Sequence, residues 1–599
     1  RAPAGASLAV TGNKTIAVEF GSSQDAALRQ SLDLALSGRI APDVTLTGTL
    51  SDRNLPLTAQ GGTQDVQALD QVLVELKAPQ GGASLGDVPL ALERGEFARL
   101  ERRVQGVSGQ WAPGAFQGFL AAASAQGEYQ RLQLLGVDGE QGPYQLTDRG
   151  GNAGITVVAG SEIVWLDGER MTRGEGADYV LDYERARLTF TNRRPITSAS
   201  RITVEYQFAL TRYRRNLAAF AGDWHQGALS LYTTAMTESD DRGRPLDQVL
   251  DANDLRTLVL AGDSLALGAG VTPGVGDYDT VRVAPDTLIF AYAGTDSGQF
   301  AVAFARVGDG RGDYADSAIV SGRTIYRRVG PGRGAFRVGR LLPSPQSHQL
   351  LTLGGSVRQG PLTVDAEGAA SKLDLNTFSP LDDRGDAGGA GRARVALEGR
   401  APGLPGSAGV SVAARSVEAH FSPFSQLERP FAEEDWGLPL GADLDHQRRA
   451  DAAAWWRPRA GSELRAQLSR LTTPDGYAGA MRRLDGQGGL GALAAQLTLL
   501  DAGGDLAGRT FGHGGRRRAV GGLRWGGRLL APSLHVDLDR RETPADSART
   551  LDRARELAAD LASGSAVAWR LATGATWRRD DHDAGALAGG SRSLALRAG

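Results

Sequence analysis

The chain has no cysteine, which excludes a disulfide framework, thiolate zinc sites and a cysteine nucleophile. Lysine is nearly missing: Lys14, Lys77 and Lys372 make up the whole set, and arginine supplies the rest of the positive charge. A net charge of −3 over 599 residues gives no general attraction to nucleic acid. No stretch approaches the ~20 apolar residues of a membrane helix, so a membrane reading has to rest on a β-barrel. No basic-then-apolar signal segment opens the chain at Arg1. The end, Leu594-Ala595-Leu596-Arg597-Ala598-Gly599, reads as a strand cut short, and a fragment is expected. Helix signals are few: Thr63 to Val72, and Thr550 to Ala562 through Leu551, Ala554, Ala558 and Leu561.

What is abundant is glycine, 81 of 599 residues, about twice the usual share. It lacks the period of three that collagen needs, so tight turns and small strand residues account for it better. The dominant pattern is period two. Leu32, Leu34 and Leu36 alternate with polar or small residues, and Ala41-Pro42-Asp43 turns the chain into Val44, Leu46, Gly48 and Leu50. Leu351, Leu353, Gly355 and Val357 lead through Gln359-Gly360 into Leu362, Val364, Ala366 and Gly368, with Asp365 and Glu367 on the opposite face. Leu464, Ala466 and Leu468, then Leu493 to Leu499, then Leu534, Val536 and Leu538 repeat the pattern. Segments of about ten residues with charged opposite faces fit a membrane barrel, apolar outward and polar inward. A soluble β-solenoid or multi-sandwich is the competing architecture. Trp436, Trp455, Trp456, Trp525, Trp569 and Trp577 are candidates for an interfacial aromatic girdle or for core.

The fold expected is all-β, an antiparallel transmembrane β-barrel with an inserted small β-sandwich-like module and a Gly-rich hairpin repeat. Residues 1–139 read as N-terminal hairpins and the first part of the barrel, 140–208 as the inserted module, 209–269 as barrel strands, 270–345 as the repeat and 346–599 as further barrel strands. The module carries tight-turn signals at Asp167-Gly168 and Arg173-Gly174. The repeat is Gly294 to Phe300, Gly308 to Tyr314 and Gly330 to Phe336, with Gly276-Asp277-Tyr278 as a degenerate copy; each glycine turn ends on an aromatic residue.

Residues Gly160-Ser161-Glu162, Leu166-Asp167-Gly168, Asp178-Tyr179 and Asp182-Tyr183, followed by Tyr213-Arg214-Arg215-Asn216, resemble a segment of large, mostly uncharacterised bacterial outer-membrane proteins. These are loosely similar to the giant gliding-motility translocon barrels of the type IX secretion route; Phe421-Ser422-Pro423 and Asp435-Trp436 fit them too. Gly86-Asp87 and Arg102-Arg103-Val104-Gln105-Gly106 are similar to the barrel of fimbrial ushers, which hold a β-sandwich plug between barrel strands. The likeness spans residues 30–440, implies a structural role for its motifs, and carries over no active-site residue.

The search for chemistry finds little. Seven scattered histidines include no metal-helix spacing. Gly82-Ala83-Ser84-Leu85-Gly86 matches a nucleophile elbow in letters, but Asp87-Val88-Pro89 follows where a helix is needed. Oxygen ligands for Ca²⁺ could come from Asp382, Asp383 and Asp386, from Asp580, Asp581 and Asp583, or from the Glu238-Ser239-Asp240-Asp241 loop, with solvated turns as the competing reading. The function these features point to is transport or protein translocation across the bacterial outer membrane; a structural or adhesive surface protein without a pore is the alternative. No enzyme is expected. The partners expected are the lipid bilayer and periplasmic or surface proteins, not nucleic acid.

Overall fold

In the computed structural model the described residues run from 7 to 598, apart from 22–23, 54–70 and stretches of one to five residues between 126 and 586. Twenty-two strands form one antiparallel sheet in which each pairs with its neighbours along the chain. The first is Ser7–Gly21 and the last Leu587–Ala598. The chain leaves this meander twice, after Phe116–Ala125 and after Leu229–Pro245; each time the next wall strand pairs where the last one stopped.

Each wall strand has an inside and an outside, and the burial is inverted relative to a soluble sheet. On Leu362–Asp374 the apolar Val364 is exposed while Glu367 and Ser371 are buried. Leu353 is 65% exposed. Leu464, Leu468, Leu534 and Leu538 are exposed as well, and their polar neighbours turn inward. Apolar side chains stay out of water when that outer face meets lipid, which makes this a transmembrane β-barrel wall. No helix among the described residues is long and apolar enough to cross a membrane.

The two rims differ. Two-residue turns link Ala41 to Val44, Ala78 to Gly81, Gln226 to Leu229, Gln359 to Leu362 and Leu490 to Leu493 at one rim. Gly227, Gly360 and Gly491 take the positive φ such turns need. The opposite rim carries the long connections: both inserts, the loop 375–386 and the loop 418–447.

The first insert has a five-stranded sheet, including Glu128–Leu135 and Arg201–Ala209, against a three-stranded one. Its own core includes Leu146, Val164, Leu188, Ile202 and Tyr206. The turn at Asp167-Gly168 is a two-residue hairpin with both residues at positive φ. The second insert opens with a helix, Ala252–Leu260, so the wall strands of that part of the chain end at Pro245. After it come two four-stranded sheets of the same order, the second repeating the first. Tyr278 pairs with Phe300 in one and Tyr314 with Phe336 in the other. Phe304 joins them, stacked on Tyr326 at 4.6 Å and packed on Tyr278 and Tyr314. A Cβ on Gly334 would lie 2.1 Å from the Tyr314 carbonyl oxygen, so the glycine is required by close approach of two backbones.

Several expectations need correcting. Thr550–Ser563 is a wall strand, not a helix, because it pairs along its length with both neighbours. The helix expected over Thr63 to Val72 falls mostly outside the described residues; Gln71 and Val72 begin a strand. Of the tryptophans, Trp525 and Trp577 are exposed on the outer face. Trp436 and Trp455 are buried, the latter donating to Glu398 at 3.2 Å. Trp569 lies outside the described residues.

Candidate functional site: a filled, charged interior

Three separate segments occupy the space that the wall encloses. The first is the inner half of the hairpin Gly81–Arg94 and Ala98–Trp111. Its outer half pairs with the wall strands on either side, but residues 87–104 pair only with each other. Leu85 and Val107 belong to the outer face, at 57% and 53% exposure. Beyond them the apolar phase shifts by one: Val88, Leu90, Leu92, Leu100 and Val104 lie on the opposite side of the ribbon and are buried. Gly86 pairs with Gly106 at the departure point, and Gly86 has φ +108°. The buried face packs on inward residues of the wall, Leu217, Ala219, Ala221, Met236 and Leu350.

Charge fixes the hairpin tip. Glu367, on the wall strand Leu362–Asp374, has a fully buried side chain. It accepts the backbone N–H of Glu96 at 2.8 Å and of Phe97 at 3.1 Å, the Tyr232 hydroxyl at 2.9 Å and Arg392 Nε at 2.9 Å. Gly95 makes this approach possible, since a Cβ there would meet Glu367 Oε1 at 2.3 Å. Arg102 pairs with Glu238 at 3.1 Å, both buried, and lies over the Phe424 ring. Arg94 pairs with Asp223, and Arg415 with Glu96 at 2.9 Å.

The second segment is the loop 418–447, which turns inward. Phe421 packs edge-on to Phe97, and Phe424 stacks on His348 with centroids 4.0 Å apart. Trp436 packs on Tyr477, whose hydroxyl donates to the Trp436 carbonyl at 2.8 Å. Three consecutive acids, Glu433, Glu434 and Asp435, are buried here. Burial alone would push Glu434 up, but Arg541, Arg201 and Arg516 outweigh it and hold its carboxyl below the usual range. Glu433 shifts upward, mainly from burial. Arg516 reaches Asp435 at 2.9 Å and also pairs with Asp539 on the wall.

The third segment is the first insert. Its Arg201 pairs with Glu434, so the insert docks on the inward loop, which is itself tied to the wall through Arg516 and Arg541. Between insert, loop and wall lies a cavity of about 760 Å³ whose lining includes Asp167, Arg201, Glu434, Arg518, Arg578 and Asp580. Charges of both signs face it, as in a water-filled polar interior.

The sequence-predicted cation ligands separate. Asp580, Asp581 and Asp583 lie along the strand Ala572–Ala584, not on an exposed loop. Arg578 holds Asp580 at 2.9 Å and Arg579 holds Asp581 at 3.0 Å, so strand geometry and ion pairing disperse that trio. His582 contacts Asp552 across the strand pair. Glu238 and Asp240 are likewise engaged by arginines, Arg102 and Arg215. Asp383 and Asp386 do converge, with Asp374 in place of Asp382. Ser84 of the GxSxG match sits on a strand with strand after it.

Comparison with known proteins adds a family model described as "Domain of unknown function (DUF8818)", which matches residues 129–210, the first insert. No curated protein sequence matches the chain. Among solved structures, that of the P pilus usher (PapC) translocation pore aligns over 98% of this chain and 96% of its own at 10% identity, TM-score 0.29. Outer-membrane expressed OmpT of Vibrio cholerae aligns over 86% of both chains at 6% identity, TM-score 0.22. A crystal structure of the usher PapC translocation pore aligns over 99% and 98% at 9% identity, TM-score 0.20. These are weak superpositions, and the architecture is read from the strand pairings themselves.

Proposed function

We propose that this chain is a bacterial outer-membrane barrel for transport or protein translocation, with a lumen kept shut by the first insert, the inward loop and the folded-in hairpin. The observation that carries this reading is the docking chain from Arg201 through Glu434 to Arg516 and Arg541. A barrel that serves only as a scaffold has no need for an independently cored module held inside it by exchangeable ion pairs. Such pairs can be broken without unfolding either body, since the insert has its own core. In membrane barrels the long connections face outward; on that rule both inserts belong to the outer rim, where surface proteins would meet them.

The test is single-channel conductance of the full chain in a planar bilayer, against a variant lacking residues 128–209. A low conductance that rises on deletion, with the barrel still folded, supports a plug. A barrel that fails to fold without the insert would show the insert to be part of the wall. Unchanged conductance would remove the occluding role.

An adhesive surface protein is the second reading, favoured by the second insert, which leaves Val275, Leu288 and Ile319 exposed. We further propose that the chain has no catalytic role and no nucleic-acid partner. Its one His between two acids, Asp581-His582-Asp583, lies on a wall strand with Asp581 taken by Arg579. Loss of a measurable activity in His582→Ala, with folding unchanged, would overturn the non-enzymatic reading.

A further inference from the structure

Between two wall strands, at the rim where the second insert leaves the barrel, carboxylates gather. Asp374 ends the strand Leu362–Asp374, Asp383 begins the short turn Asp383–Gly385, and Asp386 precedes the strand Ala387–Gly399. One carboxylate oxygen of each lies within 4.8 Å of the others. Asp263, from the segment that follows the helix Ala252–Leu260, is a neighbouring carboxylate that repels Asp386. Asp382 is adjacent, its Oδ2 2.4 Å from where a Cβ on Gly262 would sit.

Asp386 is the residue that sets this cluster apart from a solvated acidic turn. It is 6% exposed, and its Oδ2 is buried without a hydrogen-bond donor. The nearest cation is Lys372 Nζ at 3.9 Å, beyond hydrogen-bond reach. A buried acceptor without a donor is costly, and repulsion from Asp263 and Asp374 adds to that cost. One hard cation with oxygen ligands would answer both problems at once.

We propose that Asp374, Asp383 and Asp386, with Asp263 completing the cage, bind one Ca²⁺ that clamps the second insert to the barrel rim. Ca²⁺ fits better than Mg²⁺ because the ligands come from three separate chain segments and include several carboxylates; Mg²⁺ demands near-octahedral geometry and keeps its waters. The surroundings show what the clamp would hold. Asn376 Nδ2 donates to the carbonyls of Leu258 at 2.8 Å and Gly262 at 2.7 Å, and Ser379 Oγ donates to Val259 at 2.8 Å. The 375–386 loop thus already grips the C-terminal end of the helix that opens the insert. The cation would bridge Asp263 on the insert side to Asp374 and Asp386 on the wall side. The ion would hold the insert to the rim whether the barrel conducts or adheres.

The experiment uses the full chain refolded in detergent, freed of divalent ions with EDTA, and titrated calorimetrically with CaCl₂. One Ca²⁺ per chain is expected, with a Kd on the order of 10⁻⁵ to 10⁻³ M. Asp383→Asn, at an exposed position that tolerates the change, should weaken binding about ten-fold or more. Asp386→Asn should abolish it, and Asp581→Asn on the far wall should leave it unchanged. Protease cutting next to Val249, 94% exposed just before the helix, should increase in EDTA and decrease on adding Ca²⁺. No saturable binding up to millimolar Ca²⁺, or the same isotherm for Asp383→Asn as for the unchanged chain, would overturn the site.

Discussion

Replacing Glu367 with Ala removes a buried carboxylate from four donors at once: two backbone N–H groups of the hairpin tip, a tyrosine hydroxyl and an arginine. A hydrogen bond to a charged group contributes about 1.5–3 kcal/mol. Removing one partner of a buried ionic set costs about 3–5 kcal/mol overall, since the groups left behind recover part of their hydration. Opposing release of the hairpin is the burial of Val88, Leu90, Leu92, Phe97, Leu100 and Val104. At about 1.5–3 kcal/mol per side chain, that packing exceeds the lost latch. The hairpin should therefore stay seated while its tip opens. Every 1.4 kcal/mol is a factor of ten, so amide exchange at Glu96 and Phe97 should accelerate roughly 10²- to 10³-fold. Exchange in the hairpin stem should change little. Hydrogen exchange with mass spectrometry, on the chain in detergent, reads both regions. Glu367→Gln, which keeps an acceptor for the tip, should show a smaller effect. Unchanged protection at the tip in Glu367→Ala would refute the latch, and loss of protection across the whole stem would show that the apolar packing has been overvalued.

Three further outcomes are expected. Val536→Arg, on the outward face of the strand Leu530–Thr543 beside the exposed Leu534 and Leu538, should cost about 2–4 kcal/mol near the bilayer midplane in urea unfolding from vesicles, with His535→Leu costing less. The contact of the first insert should weaken in acid: Glu434 is held below its ordinary value of 4.5, so its contribution is present above that pH and is lost as pH falls through the lower folded value. Crosslinking between cysteines placed beside this pair, with Arg201 and Glu434 themselves left intact, checks this under acid titration. Asp386 works in the opposite direction, raised from 3.8 to about 6, so in EDTA stability falls as pH rises through that window and Asp386→Asn should stabilise the fold at pH 7 by at most about 3 kcal/mol. With Ca²⁺ present the same substitution should destabilise it, and thermal melts with and without EDTA separate the two signs.

The wall was legible because it obeys a single rule. A strand between lipid and a polar interior must alternate, and the sequence of 349–368 shows both faces and the turn at Gly360 that the pairing of Gln359 with Leu362 places there. Two misreadings have a common physical cause, the local view. Thr550–Ser563 is rich in Ala, Arg, Glu and Leu, residues that favour helices, yet backbone pairing on both sides overrides that preference. Read as a strand, it turns Leu557 and Ala559 outward and Glu556 and Ala558 inward. Asp580 and Asp581 looked like a loop because consecutive charges suggest water. On a barrel strand they face opposite sides, and each finds an arginine two residues before it.

The interior was harder to read, although one signal was present. Along Gly81–Arg94 the apolar residues sit first at odd positions, Ala83 and Leu85, and then at even ones, Val88, Leu90 and Leu92. A register slip of one would turn every side chain to the other face, but this ribbon pairs without a slip from Gly81 with Trp111 to Arg94 with Ala98. The side chains keep their sides while the environment changes: lipid lies outside the first half, and the packed interior lies inside the second. A strand whose apolar phase inverts without a bulge must therefore leave the wall, and the glycines Gly86 and Gly106 mark where it does so. The same reasoning cannot find Glu367. Its partners Glu96 and Phe97 are about 270 residues away in sequence, and the alternation on its strand requires only something polar there. The wall pattern specifies the inward position, while the hairpin docked against it specifies that the residue be an acid.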